Sequence, residues 1–529
     1  MGTMQKATKE TVPATRALVV LLAVCLLAAC QTASLKTAAS HDPANGIIAF
    51  RFVSNGPGPI AYQDPWDFAI IEETTTGETF TLTDVTDGLS RSALYIGSVP
   101  PGEYRLSSFA GTISNATGTP NDSFGRFAIE ARRITYLGSI VEVVTGPRVD
   151  VLSRYRTSYL TYDPTPVAEG LPEVLQALYP GLSDVAMRPD SYLGWSEAHV
   201  PPVISQGLYD EVRDGSLGLL APTELSDGRI AFGTLLGQIR FWHPEHGWSR
   251  VDLGVNRSVE AIVEIVPGAL LVGGEMGMLR ISPDMGKAWA QIRSPIPYGV
   301  VRDIHKMPDG GVYLTHYRDT RFTLLRSDIN LNQWEPVQSF QFAAPGRFYG
   351  STPQRLRTHR IGSLLLTTLP QSRLAVYDTE TGRSEVRDMP GPVSRARASR
   401  DGRLRGIFER FIVWNPYLTA DGGVTWESDT ISRSTHMPAF RDESHGAALE
   451  MESGLTEGWT YLTRTKDGGS TWQRGPKMPN PFLTWIDYAA DGSLLYATDQ
   501  LGEFYYSRDG GETWKHDPVP SLMIDLIGF

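Results

Sequence analysis

The chain contains two thiols, and their positions limit the chemistry that they could do. Cys25 lies inside an apolar run from Ala17 to Ala29, and Cys30 follows that run directly. The run is shorter than the roughly 20 residues that a membrane-spanning helix needs, and a basic stretch precedes it, which together are typical of a secretion signal. Cleavage after Ala29 would remove Cys25 and leave Cys30 as the one thiol, so no disulfide could form within the mature chain.

The residues at the cut, Leu27-Ala28-Ala29-Cys30, resemble the lipobox of bacterial lipoproteins. The resemblance implies a signal peptide over residues 1–29 and a covalent lipid, including palmitate, on the sulfur of Cys30. Because Gln31 stands where Asp tends to retain such proteins at the inner membrane, it also implies the outer membrane, on its periplasmic face or at the cell surface. The alternative is an ordinary signal cut with Cys30 present by chance. Residues 30–45 are expected to form a flexible tether.

Charge and composition narrow the choice of partners. Apolar residues make up 41% of the chain and charged residues 20%, which is ordinary for a globular protein. The formal net charge is −11, and the signal carries three basic residues and one acidic residue, so the mature chain is near −13. This excess of acid argues against nucleic acid or an anionic membrane surface as a partner. No long apolar run follows Cys30, so the remaining chain is not expected to span a membrane.

Residues 46–162 have the pattern of an all-β domain. Short runs rich in Val, Ile, Phe, Tyr and Thr alternate with Gly, Pro, Asn and Asp at a spacing typical of a β-sandwich. The segment Val99–Tyr104 (VPPGEY) resembles the turn of transthyretin-like and carboxypeptidase-regulatory-like sandwiches, and some other β-sandwich is the alternative. Residues 163–203 contain seven prolines and one helix candidate, Glu173–Tyr179, and we expect them to form an interdomain linker.

Four segments in the rest of the chain share the pattern Ser/Thr-x-Asp-x-Gly-x-Thr/Ala-Trp. Their acids and tryptophans are Asp284 and Trp289, Asp421 and Trp426, Asp467 and Trp472, and Asp509 and Trp514. The pattern resembles the Asp box, or bacterial neuraminidase repeat (BNR), of β-propellers. Asp can accept hydrogen bonds from the amides of a tight turn, Gly allows a positive φ, and Trp can pack between blades. We expect these residues to hold the fold and not to act as catalytic acids.

The spacing of the repeats gives the number of blades. Starting from Trp248 and including Trp334, the intervals between the marker tryptophans are 41, 45, 92, 46 and 42 residues. We interpret the interval of 92 as two blades, with a degraded box near Gly382 between them. The predicted fold is therefore all-β, with an N-terminal β-sandwich followed by a seven-bladed propeller over residues 204–529.

Asp-box propellers include sialidases, endoglucanases, sortilin-type receptors and assembly factors of the YCF48 type, so the resemblance does not decide function. The early Arg-Ile-Pro motif of sialidases has only Arg229-Ile230-Ala231 as a counterpart here, and we predict no catalytic sialidase site. A pair of carboxylates brought together in space could still give glycosidase activity. No metal site is predicted, and no cofactor apart from the lipid.

The candidate binding surface is one mouth of the propeller, formed where the innermost strands begin. Its predicted members are Glu260, Arg302, Asp303, Tyr349, Arg395 and Trp485. A ring of arginine, acidic and aromatic residues suits a peptide or a glycan. We predict a non-enzymatic, lipid-anchored envelope protein whose propeller binds another envelope protein. The alternative is a glycan-binding protein or a sialidase-like glycoside hydrolase.

Overall fold

The computed structural model describes most of the chain after Cys30. The described residues are 31–32, 42–54, 68–85, 92–110, 117–118, 124–145, 157–163, 170–178, 180–197, 210, 212–214, 217, 221–292, 298–318, 320–342, 356–410, 413–432, 435–453, 458–481, 483–499 and 502–520. The predicted signal peptide, the lipidation site Cys30, most of the predicted tether and the mouth candidate Tyr349 lie outside them. None of the helices within the described ranges is long and apolar enough to cross a membrane.

The N-terminal domain is built on one twelve-stranded sheet. Its strands are β1 (Gln31–Thr32), β2 (Gly46–Ser54), β3 (Phe68–Glu73), β4 (Thr79–Asp84), β5 (Ala93–Val99), β6 (Gly102–Ala110), β7 (Thr117–Gly118), β8 (Arg126–Ile129), β9 (Ile134–Thr145), β10 (Thr157–Asp163), β11 (Tyr192–Leu193) and β12 (Trp195–Glu197). The hydrogen-bonded path runs β10-β9-β2-β5-β4-β3-β6-β8-β12, and β8 and β12 return beside β9. The all-β prediction is confirmed, with the strands joined in one nearly closed sheet around the core.

Strand β2 explains why this sheet is buried on both faces. Its even-numbered residues Ile48, Phe50 and Phe52 lie in the enclosed core, beside Tyr104 and Phe109 of β6. Its odd-numbered residues face the other way, against elements outside the sheet. A strand covered on both faces reads as a nearly continuous apolar run, as GIIAFRFV does. The single charged residue in this run, Arg51, is therefore buried, and its partner lies in the propeller.

The segment 163–203, which we expected to be a linker on the surface, contributes to the N-terminal domain. Its helices are α1 (Leu171–Leu178) and α2 (Ser183–Ala186), with single turns of 3-10 helix at Pro180–Leu182 and Pro189–Ser191. Leu171 and Leu175 of α1 pack on the outer face of the sheet beside Ile47. Strands β11 and β12 then pair with β9 and β8. Burial of the apolar side of α1 is what holds this proline-rich segment in place.

Seven four-stranded antiparallel sheets follow in sequence order, so the predicted seven-bladed propeller is confirmed. The blades are β13–β16 (Thr223–Glu224, Ile230–Gly233, Gln238–His243, Gly247–Asp252), β17–β20 (Val259–Val266, Ala269–Gly274, Leu279–Ser282, Ala290–Gln291), β21–β24 (Val300–Lys306, Val312–Arg318, Arg321–Ser327, Glu335–Gln341), β25–β28 (Thr358–Ile361, Leu364–Leu369, Arg373–Asp378, Ser384–Asp388), β29–β32 (Val393–Ala398, Leu404–Arg410, Val413–Thr419, Glu427–Ser428), β33–β36 (Ala439–Phe440, Gly446–Ser453, Gly458–Thr465, Gln473–Lys477) and β37–β40 (Trp485–Tyr488, Leu495–Thr498, Phe504–Ser507, Lys515–His516). A turn of 3-10 helix, Glu275–Gly277, joins β18 to β19.

The interval of 92 residues holds two blades, as we interpreted it. Blade 4 lacks an Asp box, and its turn between β27 and β28 uses Asp378 and Gly382. The amide of Gly382, whose φ is +68°, donates to the Asp378 carbonyl at 2.8 Å. The turn keeps the positive-φ glycine that closes it, although the flanking pattern has been lost.

Side chains close the ring between the first and last blades. Within the described residues, blades 1 and 7 each have four strands drawn from one continuous segment, and neither sheet contains a strand from the other. Trp242 of blade 1, which is fully buried, lies 4.6 Å from the ring of Phe504 of blade 7. Its indole Nε1 and that of Trp248 donate to Asp517, to the side chain and the backbone carbonyl respectively, both at 2.8 Å. We call this contact the ring seam.

The antiparallel order places the turns of each blade on two opposite faces. Turns that join the first strand to the second, and the third to the fourth, share one face, which we call the turn face; it carries the Asp boxes. Loops that join the second strand to the third, and one blade to the next, share the other, which we call the mouth face. The N-terminal domain sits on the mouth face over blades 1 to 3, through Leu235, Asn256, Glu275 and Tyr298.

Candidate functional site

The Asp boxes lie on the turn face, and their polar groups are used within the turn. In blade 5, Thr419 Oγ1 donates to Asp421 Oδ1 at 2.7 Å and accepts from the Gly423 amide at 2.8 Å. The Asp421 carboxylate also accepts from the amide of Thr425 at 3.0 Å and from its hydroxyl at 2.6 Å. These bonds explain why the pattern needs a hydroxyl residue, an aspartate and a glycine at fixed spacing.

The same arrangement recurs at the other three boxes, and it lowers the pKa of each carboxyl. The hydrogen bond from the Thr471 hydroxyl, followed by that from its amide, lowers the pKa of Asp467 to about 2. Hydrogen bonds from Thr513 lower the pKa of Asp509 well below its usual range in the same way. The pKa of Asp284 is lowered chiefly by the hydrogen bond from the Ala288 amide. A carboxylate held ionised by its own turn is a poor general acid, so these residues act in the fold.

Each box also packs against the preceding blade. A Cβ at Gly511 would lie 2.3 Å from Leu462 of blade 6, and one at Gly423 would lie 2.5 Å from Leu374 of blade 4. Both glycines have a φ above +90°, so a side chain is excluded by conformation as well as by space. Trp289, Trp426 and Trp514 pack in the cores between adjacent blades. Trp472 meets Phe440 edge to face at 5.9 Å.

The first strand of each blade is the one nearest the propeller axis. First strands of neighbouring blades therefore lie beside each other, as β17 and β21, β25 and β29, and β33 and β37 do. The predicted mouth residues of blades 2 and 3 are not exposed on the mouth face. Arg302 Nη1 lies 2.8 Å from Glu260 Oε2, and the two side chains are 1% and 0% exposed. Each belongs to a strand whose register shifts at that residue, and such a bulge re-aims a side chain. Glu260 and Arg302 are thus a buried link between blades, which corrects their assignment to a binding surface.

Asp303 is also buried and paired, with an arginine that the sequence analysis missed. Its Oδ1 lies 2.8 Å from Arg357 Nη2, and its Oδ2 accepts from the Thr358 amide of blade 4 at 2.9 Å. We had taken the blade 4 contribution from Tyr349, which lies outside the described residues. Arg357 directly precedes β25, so alignment of strand starts across the blades would have found it.

Arg395 of blade 5 differs from the other mouth arginines. It occupies the place on its strand that Asp303 has in blade 3, one residue after the register shift. Its Nη1 donates to Nδ1 of His436 in blade 6 at 2.9 Å. Among the residues that the structure describes, no carboxylate pairs with it. Burial lowers the pKa of the Arg395 guanidinium to about 10, so the group remains a cation at neutral pH.

His436, which we did not predict as a mouth residue, is the hydrogen-bond partner of Arg395. It is 9% exposed, and its Nε2 has no hydrogen-bond partner within the described part of the chain. Burial, followed by the charge of Arg395, lowers the pKa of His436 to about 3. The ring is therefore neutral and accepts from Arg395 through Nδ1, which leaves the proton on Nε2. Arg395 and His436 together offer N–H hydrogen-bond donors at the mouth, and neither contributes a carboxylate.

Trp485 lies at the start of β37, at the mouth. Farther along the innermost strands, polar side chains of one blade bond to a blade on the other side of the propeller axis. Arg397, two residues after Arg395, stacks over the Trp485 ring at 4.3 Å and pairs with Asp487. Its Nη1 donates to the Ile486 carbonyl at 2.7 Å, which joins blade 5 to blade 7. Closer to the turn face, Arg400 of blade 5 lies 3.8 Å from Glu224 of blade 1. These links cross the centre of the ring below the mouth.

One group of metal-type ligands was overlooked in the sequence. His243, Glu245 and His246 have the spacing His-x-Glu-His, and their ligand atoms lie within 4.8 Å of one another. They stand on the turn face of blade 1, away from the mouth. The prediction of no metal site did not take this spacing into account.

Comparison with known protein families finds the repeat. The model of the BNR/Asp-box repeat matches residues 505–516, which include the fourth box. No curated protein matches the chain. The solved structure of YCF48 bound to D1 peptide is 15% identical, is aligned over 58% of this chain and 93% of that chain, and has a TM-score of 0.41.

Two further solved structures have similar scores. YCF48 from Cyanidioschyzon merolae is 16% identical over 50% of this chain and 86% of that chain, with a TM-score of 0.37. BamB from Moraxella catarrhalis is 14% identical over 56% of this chain and 82% of that chain, with a TM-score of 0.36. The chain combines Asp-box repeats in a seven-bladed propeller with an N-terminal β-domain docked on the mouth face.

Proposed function

We propose that this chain is a lipid-anchored envelope protein whose propeller mouth binds another protein, and that it does so without catalysis. The observation that supports the mouth as the binding surface is the state of Arg395. Glu260 and Arg302 neutralise each other, as do Asp303 and Arg357, whereas Arg395 pairs with His436 and, among the described residues, with no carboxylate. A partly buried cation without a counter-charge is costly, and an acidic group from a partner removes that cost.

The position of the N-terminal domain is consistent with this use of the mouth. The domain covers the mouth face over blades 1 to 3, through contacts at Leu235, Glu275 and Tyr298. Arg395, His436 and Trp485 belong to blades 5 to 7, on the part of the ring away from these contacts. A partner would therefore approach the mouth over blades 5 to 7 and present a carboxylate to Arg395. Trp485, partly exposed, offers an aromatic surface beside it.

The binding test compares matched arginine variants of the chain without its signal, Gln31–Phe529. Arg395→Gln removes the charge and keeps a shorter, polar side chain that can still donate a hydrogen bond. Arg373→Gln is the control, because Arg373 is exposed and pairs with Asp388 on an outer strand of blade 4. We expect Arg395→Gln to lose crosslinked capture of the envelope partner and Arg373→Gln to retain it. Equal capture by both folded variants would contradict a role for the mouth.

The anchor is tested separately at Cys30. If its sulfur carries lipid, Cys30→Ala should leave the protein in the soluble envelope fraction, and the wild-type mature chain should show the mass of an acylated cysteine. A single acyl chain gives only marginal binding to a membrane, so stable anchoring requires more than one. Unchanged membrane fractionation of Cys30→Ala would refute the lipid anchor and leave the mouth proposal standing.

One observation favours the alternative of glycoside hydrolysis. Burial, partly offset by the amide of Ala490 and the charge of Arg400, raises the pKa of Glu224 near the axis. The charges of Asp491 and Asp487 add to this rise, and an acid with a raised pKa beside an ionised carboxylate is the pairing that glycosidases use. A panel of fluorogenic glycosides decides the matter. Hydrolysis that Glu224→Gln abolishes would replace the non-catalytic proposal.

A further inference from the structure

We infer that the turn between β15 and β16 in blade 1 is a binding site for a divalent transition-metal ion. The ligands are His243, Glu245 and His246, whose ligand atoms lie within 4.8 Å of one another. This site is on the turn face and is independent of the mouth. No other role in the fold or in partner binding has been assigned to these three side chains together.

Blade 1 carries these residues where other blades carry an Asp box. Strand β15 ends at His243 and β16 begins at Gly247, so Pro244, Glu245 and His246 form the turn. The amide of Glu245 donates to His243 Nδ1 at 3.1 Å, in the way that box amides donate to an aspartate. Gly247 has a φ of +66° and closes the turn. One histidine and one glycine thus account for the shape of the turn.

The other two ligands are not needed for that shape. Within the described part of the chain, neither the Glu245 carboxylate nor a ring nitrogen of His246 forms a hydrogen bond or an ion pair. The His246 ring stacks on that of His243, with centroids 4.6 Å apart and an angle of 16° between the planes. Two imidazoles and a carboxylate are therefore held together on a short hairpin without a bond between them.

The donor set selects the kind of ion. Imidazole nitrogen suits Zn²⁺, Ni²⁺ and Cu²⁺, whereas Ca²⁺ and Mg²⁺ prefer oxygen ligands only. Two histidines and a glutamate form one of the three-ligand sets that bind zinc, with a fourth position left for water. With Zn–N distances of about 2.0–2.1 Å, two ligand atoms on a tetrahedral ion are roughly 3.4 Å apart. The exposed side chains of Glu245 and His246 can make the small rotation that this requires.

Two features limit the affinity. A neutral histidine has one free nitrogen lone pair, so ligation by His243 displaces its hydrogen bond from the Glu245 amide. Glu245 and His246 are exposed, and ordering them costs conformational entropy. We therefore expect micromolar binding, in contrast to the tighter binding of a buried structural site.

The position of the hairpin gives the site a measurable effect on the fold. Trp242 precedes His243, Trp248 follows Gly247, and both indoles pack on Phe504 across the ring seam. An ion that ties the two ends of this turn together binds the folded state more tightly than the unfolded one, in which the three ligands are not held close to one another. Binding should therefore raise the melting temperature with increasing metal concentration.

The experiment uses the Gln31–Phe529 form, purified without a histidine tag, with Zn²⁺ in a calorimetric titration and Co²⁺ as a spectroscopic probe. We expect one equivalent of Zn²⁺ and visible Co²⁺ absorption that Zn²⁺ displaces. His246→Ala and Glu245→Gln should each weaken binding about ten- to hundredfold. Both substitutions are at exposed positions, so the variants should fold, which circular dichroism would verify.

His445→Ala is the matched control, because His445 is an exposed histidine beside an acid, Asp442, on another blade. It should bind Zn²⁺ as the wild type does and show the same rise in melting temperature. Zinc binding that is absent in the wild type, or equally strong in His246→Ala, would overturn the proposal. A loss in His445→Ala equal to that in His246→Ala would also overturn it, because binding would then be a nonspecific property of surface histidines.

Discussion

Arg51 of the N-terminal sheet and Glu275 of blade 2 form an ion pair with Nη2 and Oε2 at 2.6 Å, and the two side chains are 0% and 2% exposed. Both residues of the pair have further partners. Arg51 donates to the backbone carbonyls of Asn256 and Leu235. Glu275 accepts from the hydroxyl of Ser92, the residue before β5, at 2.7 Å and from the Ser258 amide at 3.0 Å. The pair thus joins the two domains with fixed geometry. Its contribution is to orientation more than to stability, since desolvation offsets much of the attraction.

The first prediction concerns this pair. Arg51→Met should lower the free energy of unfolding by about 3–5 kcal/mol, because Glu275 would remain buried without its counter-charge. Arg51→Met combined with Glu275→Gln should recover part of the loss. The measurement is urea denaturation, with limited proteolysis at the domain boundary as a second readout.

Arg105→Met is the control for this prediction, because Arg105 pairs with Glu72 while remaining 47% exposed. Exposed pairs contribute at most about 1 kcal/mol, so its effect should be small. Equal effects for Arg51→Met and Arg105→Met would show that the buried pair does not couple the domains.

The second prediction concerns the ring seam. Trp242→Ala should destabilise the protein by about 3–5 kcal/mol, because it removes a fully buried indole from between blades 1 and 7 and also its bond to Asp517. Val424→Ala is a suitable reference, since Val424 is 65% exposed. Thermal melting followed by circular dichroism gives the comparison. A Trp242→Ala protein as stable as Val424→Ala would mean that the ring is closed by other contacts.

The third prediction concerns the Asp boxes and low pH. The pKa of Asp467 is about 2, below the value of about 3.9 for an unfolded aspartate. Its contribution to stability is therefore fully present above pH 4 and is lost as the pH falls toward 2. Asp467→Asn should lower the melting temperature at pH 7, and the difference from wild type should shrink between pH 4 and 2. A difference that is independent of pH would indicate that the charge of the carboxylate is not what the turn requires.

The fourth prediction concerns His436. Because burial lowers its pKa to about 3, the unfolded chain binds a proton that the folded chain does not as the pH falls below about 6.5. Stability is thus present above pH 6.5 and is lost toward pH 3, by at most about 1.4 kcal/mol per pH unit. His436→Asn keeps an acceptor for Arg395 and removes the titration, so its stability should depend less steeply on pH. A slope equal to that of wild type would contradict burial of a neutral ring.

The features that could be predicted from the sequence are local ones. The Asp-box turn is complete within eight residues, since the side chains of Thr465 and Asp467 bond to each other and accept from the amides of Gly469 and Thr471. Its recurrence gives the number of blades, and even the degraded box keeps Gly382. The turn of blade 1 was readable too, because His243 and His246 are close in the chain, although the sequence analysis overlooked their spacing.

The mouth could not be predicted from the same signals. The start of an innermost strand predicts an exposed side chain for Glu260 and Arg302, but a register shift in each strand turns them toward one another. Arg395 and His436 are 41 residues apart, and nothing in their flanking sequence indicates that one donates to the other. The packing of residues 163–203 could not be predicted for a related reason. The prolines of this segment indicated a linker on the surface, whereas Leu171 and Leu175 pack on the outer face of the N-terminal sheet.

The all-β class, the Asp-box turns and the seven blades therefore follow from the amino-acid sequence alone, because hydrogen bonds within a turn and a repeating tryptophan depend on short spacings. The tertiary structure decided which charges meet. Arg51 meets Glu275 across 224 residues, and Arg397 reaches Asp487 from two blades away. The closed ring and the docked N-terminal domain set the distances between charged side chains. These distances decide whether an arginine is paired within the chain or available to a partner.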